Sequence, residues 1–346
     1  MNLFNNVLQH NETLFKNEIV LDYEYLPHIL KFRESQQQHI ATIIKPLFAN
    51  RMGSNILITG KPGIGKTAAC RHVLRDMEQH SDKIVSIYIN CWKQDTAYKV
   101  LVDICMQLGY KWVQNKKTNE LMDEIAKILN KKAAVIVLDE VDKLKEEQVI
   151  YQLVEDLYKK CIIMISNSKD FLAFLDQRTR SRLLPEILEF EPYTYKETEA
   201  ILQERKETGF YDNVWSDEEF MPIVEKTADG KDLRIGLFLL RESGNAAENR
   251  ASRKIQKRDV DIAVGKLSSF LKSSKVLDEE EQEVLEIVKE HQGLPSTEIY
   301  ELYKELFDKS ERTFRRKVAS LKENHYLEAR DSKDKNGTIV PHLFVK

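Results

Sequence analysis

Cysteine is scarce: four in 346 residues, at positions 70, 91, 105 and 161, and no two stand at metal-site spacing. Three lie in apolar surroundings, where a buried thiol behaves as a small hydrophobe. A disulfide scaffold is excluded, and a reducing, intracellular compartment is the expectation. There is no internal repeat and no low-complexity segment; glycine and proline stand at 12 and 8. No apolar run approaches the roughly 20 residues that cross a bilayer. The opening MNLFNNVLQHNETLF has no secretory apolar stretch. A cytoplasmic protein with no membrane partner is therefore expected. Nor does one charge dominate. With 53 basic and 56 acidic residues the net charge is −3, so any nucleic-acid contact must come from a local basic face. The 42% of hydrophobic residues and the chain length suit a globular protein of two or three domains.

Short, nearly continuous β-branched runs occupy 54–59, 83–90, 133–139, 161–167 and, more weakly, 187–192. Strands covered on both faces read this way. Helical stretches separate them, at 66–79, 95–108, 118–130 and 146–159. The alternation predicts an α/β fold with a parallel sheet. After Pro192 the strands stop. Thr194 is set to cap a helix that ends near Gly209, and helices follow at 216–228, 232–249 and 257–273. LKSSKVLDEEE, 271–281, reads as a linker. Beyond it three helices (278–291, 296–307, 310–324) and a hairpin turning at Asn336-Gly337 make a winged helix-turn-helix. The expected domains are 1–193, α/β; 194–275, a helical lid; and 276–346, a winged helix.

Chemistry concentrates at GKPGIGKTA. Gly60, Lys61, Pro62, Gly63, Ile64, Gly65, Lys66, Thr67 and Ala68 hold the P-loop pattern, after a strand and opening a helix. Glycines let backbone N–H groups converge on phosphate, and the helix N-terminus adds its positive dipole end. Lys66 reaches the β and γ phosphates and Thr67 ligates Mg²⁺; Lys66 is expected to pack against nothing else. VIVLDE ends a buried strand in Asp139-Glu140, costly unless a cation or partner needs the charge. Asp139 would hold Mg²⁺, directly or through water, and Glu140 would orient and deprotonate the attacking water. Ser166-Asn167 ends the next strand, and Asn167 can meet the γ phosphate. The expected ligands are thus ATP/ADP with Mg²⁺.

Residues 309–322 carry six basic residues and one acid, Glu311. At about 100° per residue, Phe314, Val318 and Leu321 share a face. Arg312 and Arg316 oppose it and Arg315 flanks it, an arrangement suited to a major groove. Lys333 and Lys335 in the wing would add phosphate or minor-groove contacts.

These segments resemble the archaeal origin-recognition initiators of the AAA+ ATPases. ETLFKNEIVLDYEYLPHILKFRESQ is similar to that family's lead-in, with Pro27 and Arg33-Glu34. LDEVDKL is similar to its Walker B segment and ISN to its first sensor. LDQRTRSRLLPEILEFEPYTYKETEAILQER resembles the arginine-finger block, and ADGKDLRIGLFLLRESGNAAENRASRKIQKRDVDIA the second-sensor helix. The resemblance implies that Arg182, with Arg178 as second choice, is a finger for a neighbouring subunit's nucleotide. It makes Arg234 the second sensor, and places EYLPHI (24–29) and Tyr193 against the adenine. Where the family usually has PPGTGKT this chain has GKPGIGKT, and the chain is short for the family. The helix in CWKQDTAYKVLVDICMQLG would offer a second DNA contact through Trp92, Lys93, Tyr98 and Lys99, or serve only as an amphipathic core helix. The function implied is slow, ATP-dependent initiation of replication at origin DNA. Its expected partners are the replicative helicase and other initiator subunits, in a homo- or hetero-oligomer at the nucleoid. Two other readings stay open: a clamp-loader-like machine, and a P-loop regulator whose winged helix acts in transcription or mobile-element control.

Overall fold

A computed structural model describes residues 13–274, 279–307, 309–323, 326–333 and 339–345. The chain divides into two compact units, Met1–Ala263 and Val264–Lys346.

The first unit is built on five parallel strands: β1 (Ile56–Thr59), β2 (Ile84–Asn90), β3 (Ala133–Asp139), β4 (Lys160–Ser166) and β5 (Glu186–Glu189). Their spatial order is β2-β3-β4-β1-β5, with all four pairings parallel. All five expected strands are present, the weakest as the exposed edge strand β5. β3 and β4 are buried at every position. Alternate residues face opposite sides. Leu57, Ile136, Leu138, Ile162 and Met164 pack with α3 (Ala97–Gln107), α4 (Thr118–Leu129) and α5 (Gln148–Asp156). Ile56, Ile58, Val135, Val137 and Ile163 pack with α1 (Glu34–Ile44) and α2 (Lys66–His80). Each fully buried Ile, Val or Leu contributes about 1.5–3 kcal/mol, so two such layers hold the sheet rigid. The short α6 (Phe171–Phe174) and α7 (Gln177–Leu183) precede β5.

Register brings Thr59 level with Ser166, and Asn90 level with Asp139. The polar strand ends therefore share one edge, where β1 lies between β4 and β5. In open α/β sheets that carboxyl edge is where ligands bind.

The helices after β5 are α8 (Tyr195–Gly209), α9 (Asp217–Gly230), α10 (Leu233–Asn249) and α11 (Lys257–Ser274). Thr194 caps α8 as expected, in a capping box with Glu197. The expected linker 271–281 is partly helical, since α11 runs to Ser274 and α12 begins at Glu279. Residues 275–278 lie outside the described residues.

The second unit contains α12 (Glu279–Glu290), α13 (Ser296–Phe307), α14 (Glu311–Glu323) and an antiparallel pair, β6 (Leu327–Lys333) and β7 (Ile339–Val345). Val284, Val288, Ile299, Tyr303, Phe314, Leu321, Leu327 and Leu343 form its core. Phe314, Val318 and Leu321 face inward while Arg312, Arg315 and Arg316 are exposed, as the periodicity predicts. Arg315 is paired with Glu311 at 2.7 Å. Lys335 and the Asn336-Gly337 turn lie outside the described residues, as does the side chain of Lys333.

Candidate nucleotide site

β1 ends at Thr59 and the loop to α2 bends through positive φ at Gly60 (145°), Gly63 (71°) and Gly65 (92°). Only glycine adopts such values without strain. At Gly65 space also decides, because a Cβ would lie 2.6 Å from the Tyr193 hydroxyl. The loop opens onto a cleft of about 320 Å³ lined by Pro62, Gly63, Gly65, Lys66, Thr67 and Ala68. Of the expected loop residues, Gly60, Lys61 and Ile64 do not line it. Ile64 turns its side chain into the core, and Gly60 and Lys61 contribute their carbonyls.

Those carbonyls receive Lys66. Its Nζ donates to Gly60 O (2.7 Å), Lys61 O (2.7 Å) and Asn167 Oδ1 (2.9 Å). The side chain is 6% exposed, which corrects the expectation that Lys66 packs against nothing. A buried ammonium without a carboxylate contact loses proton affinity, and burial lowers its pKa from 10.5 to about 8, against the pull of Asp139 and Asp142. Lys66 and Asn167 are thus joined across the site.

Thr67 Oγ1 donates to Asp139 Oδ2 at 2.8 Å, and the Tyr88 hydroxyl donates to the same oxygen. Thr67 and Asp139, expected at the metal, are therefore in contact. Two hard oxygen donors side by side, the carboxylate 2% exposed, match the chemistry of Mg²⁺. Glu140 follows at φ 55°, a left-handed conformation that costs a non-glycine residue of order 1 kcal/mol and marks functional sites. Its N–H donates to Asp139 Oδ1 (2.9 Å). Burial, then the charges of Asp139 and Asp142, raise the Glu140 pKa. Asp142 Oδ1 in turn accepts Ser166 Oγ (3.2 Å) and Asn167 N (3.1 Å), fixing the asparagine.

Glu24–Pro27 and Ile29 of the lead-in and Tyr193 also line the cleft, whereas His28 does not. Arg234 also lines it, from the start of α10. Its guanidinium is held by Asp232 through three contacts of 2.6–3.1 Å, which raise its pKa. Asp232 also caps α10 by accepting Arg234 N at 3.0 Å, and Leu233 N donates to Gly63 O at 3.2 Å. Arg178 and Arg182 do not line this cleft. Both are exposed on α7, Arg178 over the Tyr151 ring and Arg182 3.6 Å from Glu155.

α3 buries Ala97, Val100, Leu101, Ile104 and Cys105, so it is a core helix. Trp92 and Lys93 precede it and are exposed, and Lys99 is paired with Asp95 at 2.7 Å. Sequence reasoning missed Tyr88, Asp142, Asp232 and Arg71, which lies over the Tyr88 ring. Asp142 and Asp232 had signals: Asp142 stands in the acidic cluster DEVD and Asp232 at the start of an expected helix. Among the described residues no group of three or more His, Cys, Asp or Glu side chains is placed to hold a metal ion, and no helix is long and apolar enough to cross a membrane.

Comparison with known proteins places the chain. Residues 50–175 match the family model of an AAA domain, and residues 199–264 that of the Cdc6 AAA+ ATPase-type lid domain. An ORC1-type DNA replication protein 2 of Methanosarcina acetivorans is 32% identical over 340 residues, 94% of this chain and 91% of that protein. In fold, the chain resembles the Aeropyrum pernix ORC1 protein, solved in complex with DNA: TM-score 0.72, 24% identity, covering 97% of this chain and 94% of that one. It also resembles the Aeropyrum pernix ORC2 protein, solved in ADPNP–ADP complexes: TM-score 0.65, 17% identity, 96% and 94% covered. The chain therefore belongs to the ORC1-type DNA replication proteins, the archaeal Orc1/Cdc6 family of AAA+ ATPases.

Proposed function

We propose that the chain is an ATP-dependent initiator that binds replication-origin DNA and helps recruit or load the replicative helicase. The observation that carries the reading is the convergence of Lys66, the Thr67–Asp139 pair, Glu140, Asn167 and the lid residue Arg234 on one cleft of a family member. The three-part division 1–193, 194–275 and 276–346 is part of this proposal, with the last part a winged helix.

In the proposed mechanism the cradle from Pro62 to Ala68 holds the phosphates of ATP, and Tyr193 with the lead-in holds the base. Mg²⁺ held by Thr67 and Asp139 would supply neutralising charge to the phosphates. Glu140 takes a proton from the attacking water; its raised pKa brings it nearer the working pH of a base. Asn167, held by Asp142, orients that water and shares Lys66. Arg234 reaches the γ phosphate from the lid by exchanging Asp232 for phosphate oxygens. Arg182, or Arg178, serves a neighbouring subunit, in keeping with its place outside this chain's own cleft. The guanidinium suits all three because it is planar and permanently charged. Slow turnover fits a switch that binds once and holds its product.

Arg312, Arg315 and Arg316 would enter the major groove. The pair Arg315–Glu311 leaves Arg312 and Arg316 as the stronger base readers. Lys333 and Lys335 would contact phosphate. Double-stranded origin DNA, other initiator subunits and the helicase are the proposed partners, at the nucleoid. Footprinting the purified protein across its genome tests the proposal: protection concentrated at an origin and strengthened by ATP is expected. Protection scattered over promoters would favour a transcriptional regulator.

A further inference from the structure

The geometry points to Arg33 as a positioning residue that presets the phosphate cradle by aiming the Gly65 N–H. The inference rests on the nucleotide reading above and adds to it a residue that touches no phosphate.

Arg33 is 4% exposed, at the start of α1, and is met by neutral groups. Its Nε and Nη2 donate to Ile64 O at 3.1 and 3.0 Å. Nη2 also donates to Glu191 O at 2.8 Å, and Nη1 to Phe32 O at 2.9 Å. The guanidinium carbon lies 3.7 Å from the centre of the Tyr193 ring and 5.4 Å from that of Phe190. Burying a cation is costly unless it is compensated. Here the direct compensation is three carbonyls and two ring faces, with the charges of Glu197 and Glu34 nearby. Burial lowers its pKa from 12.5, yet a guanidinium stays charged throughout the range in which proteins work.

The consequence lies in one peptide. Ile64 O and the Gly65 N–H belong to the same planar unit and point to opposite sides of it. Gripping the carbonyl with two donors fixes the direction of the N–H. Gly65 lines the cleft, and it is the loop's last residue before Lys66. Its φ of 92° and the absence of a Cβ leave that peptide free to rotate on its own. Tyr193 closes the arrangement: the ring that stacks on Arg33 sets its hydroxyl over Gly65. An N–H aimed in advance does not have to be reorganised when phosphate arrives, which is how preorganisation raises affinity. Because Arg33 also holds Glu191 and Phe32, it keys the loop to the strand β5 exit and to the lead-in that walls the cleft.

The test compares ADP with adenosine on the full chain, for the wild type, Arg33→Lys and Arg33→Met. Lysine keeps the charge but has no planar fork to hold Ile64 O and Glu191 O together. ADP affinity is expected to fall at least about tenfold in both variants, the worth of one hydrogen bond to a charged group. Adenosine affinity should fall by less than ADP affinity, because Arg33 stacks on the base-wall residue Tyr193 but grips the phosphate-loop peptide directly. ADP affinity at the wild-type level overturns the inference. So does an equal loss for adenosine, which would make Arg33 a general structural residue, and so does failure of both variants to fold. The nucleotide reading is tested separately, by ATP binding to the wild type and its loss in Lys66→Ala.

Discussion

As the proposed phosphate ligand, Lys66 should make ATP affinity a function of pH, and the direction follows from its surroundings. In the free protein its ammonium rests on two carbonyls and an amide oxygen, and burial brings its pKa to about 8. Phosphate oxygens beside it favour the charged form, so the bound pKa returns toward or above 10.5. Well below pH 8 the lysine is already protonated and affinity should be flat. Above it, binding must take up a proton, and the association constant should fall by up to tenfold per pH unit. Affinity at pH 9 should be about tenfold below that at pH 7.5. Proton uptake should rise from about 0.2 to about 0.9 per ATP over the same interval. Calorimetric titration in two buffers of different ionisation enthalpy reads both quantities, in a range where ATP itself is fully ionised. Stability of the free protein should move the other way. The unfolded lysine holds its proton up to 10.5 and the folded one releases it near 8, so the unfolded state binds more protons in that window. The wild type should therefore gain stability relative to Lys66→Met as pH rises from 8 to 10.5, by up to about 1.4 kcal/mol per unit. Affinity independent of pH from 7.5 to 9.5, with no proton uptake, would refute the assignment of Lys66 as the buried phosphate ligand.

Glu140→Gln should bind ATP normally and lose at least about 100-fold in turnover, read by phosphate release. Arg182→Ala should keep its ATP affinity and lose only the turnover that assembly stimulates; a loss in the dilute monomer would place its action within its own subunit. Asp232→Ala removes the cap of α10 and should cost about 1 kcal/mol in a urea titration, while ATP affinity holds or rises because a carboxylate leaves the phosphate site. Arg312→Ala and Arg316→Ala should each lose about 1–3 kcal/mol of preference for origin over random duplex. Lys333→Ala should weaken both duplexes alike and make the salt dependence shallower.

The parallel sheet and the loop were legible because their signals are local. A β-branched run that ends in an acidic pair or a polar cap states its burial and its end within seven residues, as β3 and β4 do. The edge strand β5 gave a weak signal because its burial is incomplete. The helix α1 was not foreseen: its first half is Glu-Ser-Gln-Gln-Gln, and only Ile40, Ile43 and Ile44 are apolar and buried. The helix α7 was missed because seven residues with buried positions only at Thr179 and Leu183 show no period. In α14 the faces could be assigned from the sequence because a single helix surface fixes them, whereas the ion pair of Arg315 needs the side chains themselves.

What stayed hidden is the set of residues that hold the motif residues in place. Tyr88 reads in sequence as any strand aromatic, and only the pairing of β2 with β3 sets its hydroxyl on Asp139. Arg33 reaches Ile64 across 31 residues and Glu191 across 158. Gly63 shows the difference best. The motif leaves this position open, yet at φ 71° a side chain there would be strained. A Cβ would also lie 1.8 Å from Asp232 Oδ1, on a helix much further along the chain. The same carboxylate caps α10 and holds Arg234, so the loop's closeness to the lid and the placement of the lid arginine depend on one missing methyl group. A P-loop pattern can therefore be read from eight residues, but the reason this loop tolerates no side chain at Gly63 belongs to the lid. That reason appears only when the two are folded against each other.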